Sequence, residues 1–378
     1  MEEKEAAQQQ QEQQQQKESV TVQQNKKVKI YNKELWRVGV IDVYRSLIWT
    51  RKHFETGTVE FHAPLNERNI KYLKRGNIIT MSGTVESAFV EGVSIEDYSN
   101  EITVTGRTLS SGLSRRGIKS IVNFSGTYED AMQKIVDVSA ISVENPLAGL
   151  VLAESRHRGG SVVFQVSYKD AYPFLEKLSK ISNLGFRVRA DYKNKVFLFE
   201  VYEGVDHSQN QTGNKRVIFD EVHKNLNKAT YTTNDQTYKT HAIVYGEGEG
   251  AARVKVEATL DASAEGWDRR ELIVDARDLS SDGLTAAQYR AILMQRGEEK
   301  LAECGIVECL EANTLPFVNY SYKKDYDLGD IVTVNKKDWG IQVDKRITMI
   351  QEVYENGGFS IVPTFGDPFP ETIDLSQD

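Results

Sequence analysis

From Val28 onward the chain is written in short runs of β-branched and aromatic residues, at 36–44, 46–51 and 57–62, interrupted by charged, Gly or Pro positions. Runs of this length and type predict successive antiparallel strands. Residues 65–74 predict one or two helical turns before Gly76 restarts the sheet. Residues 89–95 are expected to pair with 101–106 across the turn formers Asp97, Tyr98, Ser99 and Asn100. The period then changes. Ala131, Ile135 and Val138 share one helical face behind the capping sequence Thr127-Tyr128-Glu129-Asp130, with Asn145-Pro146 as the stop. A second helix is expected from Ser167 as N-cap with Asp170 at N3, through Phe174, Leu175, Leu178 and Ile181 to Gly185, followed by a hairpin of 186–190 with 196–201. Strands resume near Val217, Thr240, Arg253 and Glu271. Thr285-Ala286-Ala287-Gln288 is a full capping box for a helix reaching about Cys304, with Gly305 at C′.

Two β passages share an order of motifs. The first has Gly57-Thr58-Val59-Glu60, then Gly76-Asn77-Ile78-Ile79-Thr80-Met81, and closes at Gly106; the second has Gly305-Ile306-Val307-Glu308, then Gly329-Asp330-Ile331-Val332-Thr333-Val334, and closes at Gly366. The spacings are 19 and 30 residues in one and 24 and 37 in the other, a difference that hairpin length absorbs. One β unit used twice is the reading. The expected fold class is mainly β (α+β), with two similar β-barrel domains and an inserted α+β domain. The expected boundaries are a Gln-rich arm at 1–30, a first barrel at 31–125, the insert at 126–205, a linker with the second barrel and one helix at 206–366, and an acidic tail at 367–378.

A length of 378 residues is enough for two or three cored domains. The formal net charge of -8 argues against a protein that wraps nucleic acid through its phosphates, and suits a surface that nucleic acid passes without sticking. No apolar run approaches the roughly 20 residues that cross a bilayer, and the start is a Gln/Glu tract rather than a signal peptide, so synthesis in the cytoplasm is expected. Cys304 and Cys309 match neither a C-x-x-C pair nor a disulfide framework and are expected to be buried free thiols.

Candidate chemistry is sparse. His53, His62, His157, His207, His223 and His241 never fall at metal-ligating spacing, and no G-x-S-x-G elbow is present. Gly246-Glu247-Gly248-Glu249-Gly250 lacks the helix and the Gly-Lys-Ser/Thr of a phosphate loop, and its glutamates repel phosphate; a tight turn is expected. Arg115-Arg116 reads as a solvated or subunit-contact pair rather than an anion site. No catalytic, cofactor-binding or metal residue is therefore assigned, no cofactor is expected, and the chain is read as a non-enzyme.

Residues 36–64, the Gly106-Arg107-Thr108-Leu109 junction with Arg115-Arg116, the 246–250 turn with Arg253, and the ending Pro363-Thr364-Phe365-Gly366 resemble the tail-tip or baseplate hub proteins of long-tailed phages and phage tail-like particles. The resemblance spans about 30–366 and implies a homotrimer in the virion tail tip, in which two tube-like barrels per subunit make a nearly sixfold ring. It implies as partners the distal tail or tail-tube ring proteins, the tape-measure protein and a spike or fibre protein, with DNA passing through the lumen without specific binding and no stable membrane insertion. The Gln-rich arm departs from that pattern, and so does an expected ending just after the second barrel, where some relatives continue into a cell-wall hydrolase or fibre-binding domain. Two other classes stay open. A cell-wall glycan-acting tail enzyme requires a cleft with a perturbed carboxylate pair, and a β-barrel nucleic-acid binder requires basic strands with exposed aromatics.

Overall fold

In the computed structural model, residues 26–96, 98–314, 319–355 and 358–366 are described. Most of the expected arm and all of the expected acidic tail lie outside them. The strands are, in chain order, β1 (Val28–Tyr31), β2 (Arg37–Ile41), β3 (Ser46–Lys52), β4 (Thr58–Pro64), β5 (Ile78–Met81), β6 (Ala88–Phe89), β7 (Gly92–Glu96), β8 (Glu101–Arg107), β9 (Gly117–Ile118), β10 (Val122–Thr127), β11 (Leu150–Leu152) and β12 (Ser161–Val166). They continue as β13 (Lys169–Asp170), β14 (Gly185–Asp191), β15 (Val196–Tyr202), β16 (Ile218–Asp220), β17 (Leu226–Asn234), β18 (His241–Tyr245), β19 (Lys255–Thr259), β20 (Glu271–Asp275), β21 (Val307–Thr314), β22 (Ile331–Lys336), β23 (Ile341–Glu355) and β24 (Gly358–Gly366). The α-helices are α1 (Glu67–Tyr72), α2 (Tyr128–Val136), α3 (Ala171–Ser182) and α4 (Ala286–Glu303). The mainly β, α+β fold class expected from the pattern is the one observed.

The chain divides into two compact units, both discontinuous. The first comprises residues 1–111, 187–230 and 310–366; the second comprises 112–186, 231–309 and 367–378. These borders are not the contiguous blocks expected at 125/126 and 205/206. The 186–201 hairpin, expected within the insert, falls almost wholly in the first unit because Arg187 onward packs there.

The first unit carries a sheet whose path is β17-β21-β24-β23-β3-β4-β8-β7, the outer ends of β17 and β21 lying beyond the unit border. The path is two quartets in the same order. In each, the strand that begins with G-x-V-E (β4, β21) takes second place, the Gly-terminated strand (β8, β24) third, and its hairpin partner (β7, β23) fourth. Finer geometry repeats too. Gly76 and Gly329 have φ +88° and +92°. Gly76 N–H donates to Val90 O at 2.9 Å and Val90 N–H to Asn77 O at 2.8 Å; Gly329 N–H donates to Ile347 O at 2.8 Å and Ile347 N–H to Asp330 O at 2.8 Å. Each fourth strand then carries one extra residue: the register runs from Ala88↔Thr108 to Gly92↔Thr105 in one copy, and from Ile347↔Phe365 to Met349↔Thr364 in the other. The match is not residue-perfect. In β4 the buried positions are Val59, Phe61 and Ala63, whereas β21 buries Cys309, Leu310 and Ala312, so the motif overlay slips by one residue within that strand. The β5 and β22 surroundings differ as well, since β5 has antiparallel neighbours on both sides while β22 runs parallel to β16.

In the second unit α4 covers one face of the sheet β19-β18-β20. Ala242, Val244, Val256, Ala258 and Val274 meet Ile292, Leu293 and Leu301 there. The capping box of α4 is complete: Thr285 Oγ1 accepts from Gln288 N–H at 3.3 Å and Gln288 Oε1 accepts from Thr285 N–H at 2.9 Å. Gly305 follows the C-cap Cys304 without a positive φ, so no left-handed cap forms. Helix α2 starts at its expected cap Thr127, then loosens into a π-helical turn at Asp137–Ile141 and ends before Asn145-Pro146. Helix α3 departs from expectation at its start. Lys169 and Asp170 pair with Ile118 and Gly117, which keeps them extended, so Asp170 rather than Ser167 is the N-cap. Its far end closes on Asn183 at φ +58°, two residues before Gly185.

Candidate functional surface

Alternation along the quartet strands places one set of side chains inward and the other on an open face. Inward go Leu47, Trp49 and Arg51 of β3, Phe61 of β4, Val104 of β8, and Ile350, Glu352 and Tyr354 of β23. Two of these inward positions carry charges. Glu352 is fully buried; it accepts from Tyr354 OH at 2.6 Å and Tyr322 OH at 2.8 Å. Lys323 Nζ lies 2.7 Å from Glu352 Oε1 as an ion contact rather than an aligned hydrogen bond. Arg51 donates to Glu86 at 3.2 Å, Asp327 at 2.5 Å and Tyr322 OH at 2.8 Å. Burial pushes the Glu352 carboxyl up, but Lys323 and Arg51 outweigh it and hold the group down at about 2. Lys26 Nζ reaches Tyr354 OH at 3.2 Å, and burial with the neighbouring Lys323 brings its ammonium down to about 8. This network has no exposed carboxylate pair facing a cleft; it is a buried girder beneath the sheet.

The open face is polar. Its rows run Gln351, Thr50, Thr58, Arg107; then Val353, Ile48, Glu60, Thr105, Gly92; then Glu355, Ser46, His62, Thr103, Ser94. Carboxylates meet the basic groups here: Arg107 forks onto Glu91 at 2.8 and 3.0 Å, Arg45 reaches Glu101 at 2.8 Å, and Lys52 reaches Glu55 at 3.0 Å. Glu60, Glu96 and Glu355 add further negative charge. His62 lies between two carboxylates, Nδ1 2.8 Å from Glu101 and Nε2 2.7 Å from Glu60. Partial burial lowers its pKa, and the hydrogen bonds to Glu101 and Glu60 more than reverse this, so it is raised overall. Such a face repels a polyanion rather than holding it.

Residues 246–250 form the turn from β18 to β19, with Gly246 N–H donating to Val254 O at 2.8 Å and Arg253 donating to Gly246 O at 2.9 Å, as the tight-turn reading required. Arg115 is exposed, and Arg116 spends its guanidinium on the carbonyls of Asn145 at 3.2 Å and Arg115 at 2.9 Å. Cys304 and Cys309 are free thiols, the first half-buried and the second buried. Among the described residues no group of His, Cys, Asp and Glu side chains could hold a metal ion, and no helix is long and apolar enough to cross a membrane.

Residues 27–367 match the family model described as Siphovirus ReqiPepy6 Gp37-like protein. The chain belongs to that family. Solved structures with the same fold as this Gp37-like chain include the 43 kDa tail protein of prophage MuSo2 from Shewanella oneidensis, at TM-score 0.55 and 12% identity, covering 90% of this chain and 98% of that one. A tail protein from Neisseria meningitidis MC58 follows at TM-score 0.56 and 12% identity, with 91% and 97% covered. Prophage tail protein gp18 from Listeria monocytogenes gives TM-score 0.53 and 14% identity, with 90% and 94% covered. No curated protein matches the chain in sequence. The resemblance to phage tail proteins read from the residues is borne out.

The residues that sequence reasoning missed are Arg51 and Glu352. A signal was present: each occupies the apolar parity of its strand, Arg51 after Leu47 and Trp49, Glu352 between Ile350 and Tyr354.

Proposed function

We propose that this phage protein is a structural tail hub: a homotrimer that adapts the sixfold tail tube to a threefold tip or spike and forms the conduit for the genome or tape-measure protein. The observation that carries the reading is the pair of equivalent quartets in one sheet. Three copies of a chain that uses the same unit twice present six equivalent units, which matches a sixfold ring on one side and a threefold spike on the other. In this reading the quartets are the two tube-like barrel domains, the acidic open face with Glu60, Glu101 and Glu355 lines the conduit, and the tube ring, tape measure and spike are the neighbours. Cyclic closure is the usual route to such a ring.

Mass measurement on the concentrated protein and imaging of intact particles test it. Three copies around the tail axis are expected, and a stable dimer in the particle rejects the reading. The arm is tested separately. Deleting residues 1–24 should leave the β units folded while reducing incorporation into particles; equal incorporation makes the arm dispensable.

A further inference from the structure

A pocket of about 260 Å³ opens in the second unit where β13 and the start of α3 meet the C-terminal half of α4. Its floor is apolar, with Val166 and Phe174 buried beside Pro173. Lys169 and Lys177 reach its wall from one side, Arg296 and Lys300 from α4 on the other. These four cations share two carboxylates. Asp278 takes Lys169 at 3.3 Å and Arg296 at 3.1 Å, while Glu303 takes Lys300 at 2.9 Å and also Lys177. Asp170, exposed at the rim, adds a third negative charge, so four positive groups face three negative ones. The volume falls below the ~300–1,000 Å³ of sites for drug-sized ligands and fits a small organic molecule.

The remaining acid of the wall is Glu299, only 6% exposed. Its ion partner, Arg296 Nε, lies 3.9 Å away, beyond hydrogen-bond range. Burial pushes the Glu299 carboxyl above the usual carboxylate range in spite of Arg296 and Lys177. One turn further along α4, burial acts in the same sense on Glu303, but Lys177 and Lys300 outweigh it and hold that carboxyl down. Two carboxyls four residues apart are thus driven in opposite directions, an arrangement that favours a neutral donor beside fixed charges. The other titratable groups facing Glu299 are Lys169 of β13 and Tyr128 at the start of α2.

We propose that this pocket binds a small organic carboxylate, its head group between the Glu299 carboxyl and the Arg296, Lys169, Lys177 and Lys300 cations and its short apolar body on Phe174. A carboxylate ligand and Glu299 at close range cannot both stay ionised, so they hold one proton between them and binding is linked to proton uptake. A cationic ligand would meet the four basic groups of the wall, and an anion without an apolar body would leave the Val166 and Phe174 floor uncovered. The site belongs to the second unit and does not depend on the number of copies in the tail.

Calorimetric titration of the full chain with butyrate tests the proposal, with n-butylamine as the cation of similar size and inorganic phosphate as the anion without an apolar body. Butyrate is expected to bind with Kd about 1 mM or tighter. Its affinity should fall as pH rises, and its observed enthalpy should change with the ionisation heat of the buffer. Glu299→Gln keeps a neutral donor of the same shape, so it should retain butyrate binding and lose the pH dependence. Lys177→Met, at a partly exposed side chain, should weaken binding about fivefold or more through loss of a charged contact. Thermal midpoints confirm that each variant is folded. Failure of butyrate to bind the folded parent, binding of butylamine in its place, phosphate binding as tightly as butyrate, or an affinity equal at every pH overturns the proposal. Loss of binding in folded Glu299→Gln does the same.

Discussion

Gly76 and Gly329 hold the same left-handed backbone, at φ +88° and +92°, and each donates its N–H to the residue where the following strand changes partner, Val90 or Ile347. Their surroundings differ. A Cβ on Gly76 would meet nothing within 4 Å, whereas one on Gly329 would sit 2.6 Å from Nδ1 of His53, a buried ring. Gly76→Ala should therefore lose only the ~1–2 kcal/mol of a left-handed L-residue. Gly329→Ala should lose that and a further ~1–3 kcal/mol of overpacking. Equilibrium urea unfolding of the two variants measures the order, and equal losses contradict the steric part.

These glycines also show what the sequence could carry. Gly followed by Asn or Asp and then a β-branched run specifies a positive-φ turn into a strand, a local requirement, so both turns were legible. The joining of the quartets through β23 and β3 was not, because the partner of a strand about 300 residues away leaves no mark in either strand's alternation. The start of α3 failed for a similar reason. Ser167 has good capping chemistry, but Lys169 and Asp170 are recruited by the distant strand β9. Among the features of the open face, alternation reveals which residues share a side, while the His62 clamp depends on Glu101, 39 residues away.

The Arg51 and Glu352 network should behave as a buried ionic unit. Arg51→Met leaves the buried Glu86 and the half-exposed Asp327 short of a cation, while Glu352 keeps Lys323, and a loss of ~3–5 kcal/mol is expected. Glu352 supplies the pH dependence. Its carboxyl is depressed from 4.5 to about 2, so its contribution is complete above pH 4.5 and disappears as pH falls through 4.5 toward 2. The difference corresponds to on the order of 3 kcal/mol. Glu352→Gln should be less stable near neutrality and should lose less stability than the parent across that acid window. Unfolding midpoints measured at pH 7 and at pH 3 decide this, and a parallel decline in both proteins contradicts it.

Gly297 marks the closest approach of α4 to its sheet. A Cβ there would lie 2.8 Å from Ala258 Cβ and 2.9 Å from Val244 Cγ2, short groups that cannot swing away. Two effects of Gly297→Ala oppose each other: helix propensity favours Ala by about 1 kcal/mol, and overpacking of a filled core costs ~1–3 kcal/mol. The steric term should win, giving a net loss seen as a lowered thermal midpoint. A raised midpoint would show that the helix moves away from β18 and β19 freely.

On the open face the His62 clamp can be read directly. Both ring nitrogens face carboxylates, so the doubly protonated ring donates to Glu101 and to Glu60, and its pKa is raised above 6.5. The sign follows from that direction. Any stabilisation by the clamp is fully present below pH 6.5 and is lost as pH rises through the raised folded-state value. The ring is partly buried but its partner Glu60 is about half exposed, so screening keeps the effect on stability small, while the titration itself is observable. An NMR titration of His62 should give a midpoint above 6.5, and Glu101→Gln should move it down, since Glu101 is the stronger of its two carboxylate partners. Glu60→Gln should move it less. If His62 carries positive charge near neutrality only within this pair of carboxylates, the open face stays acidic overall, as the proposed conduit requires. A midpoint unaffected by either substitution would break the link between the clamp and the charge of this face.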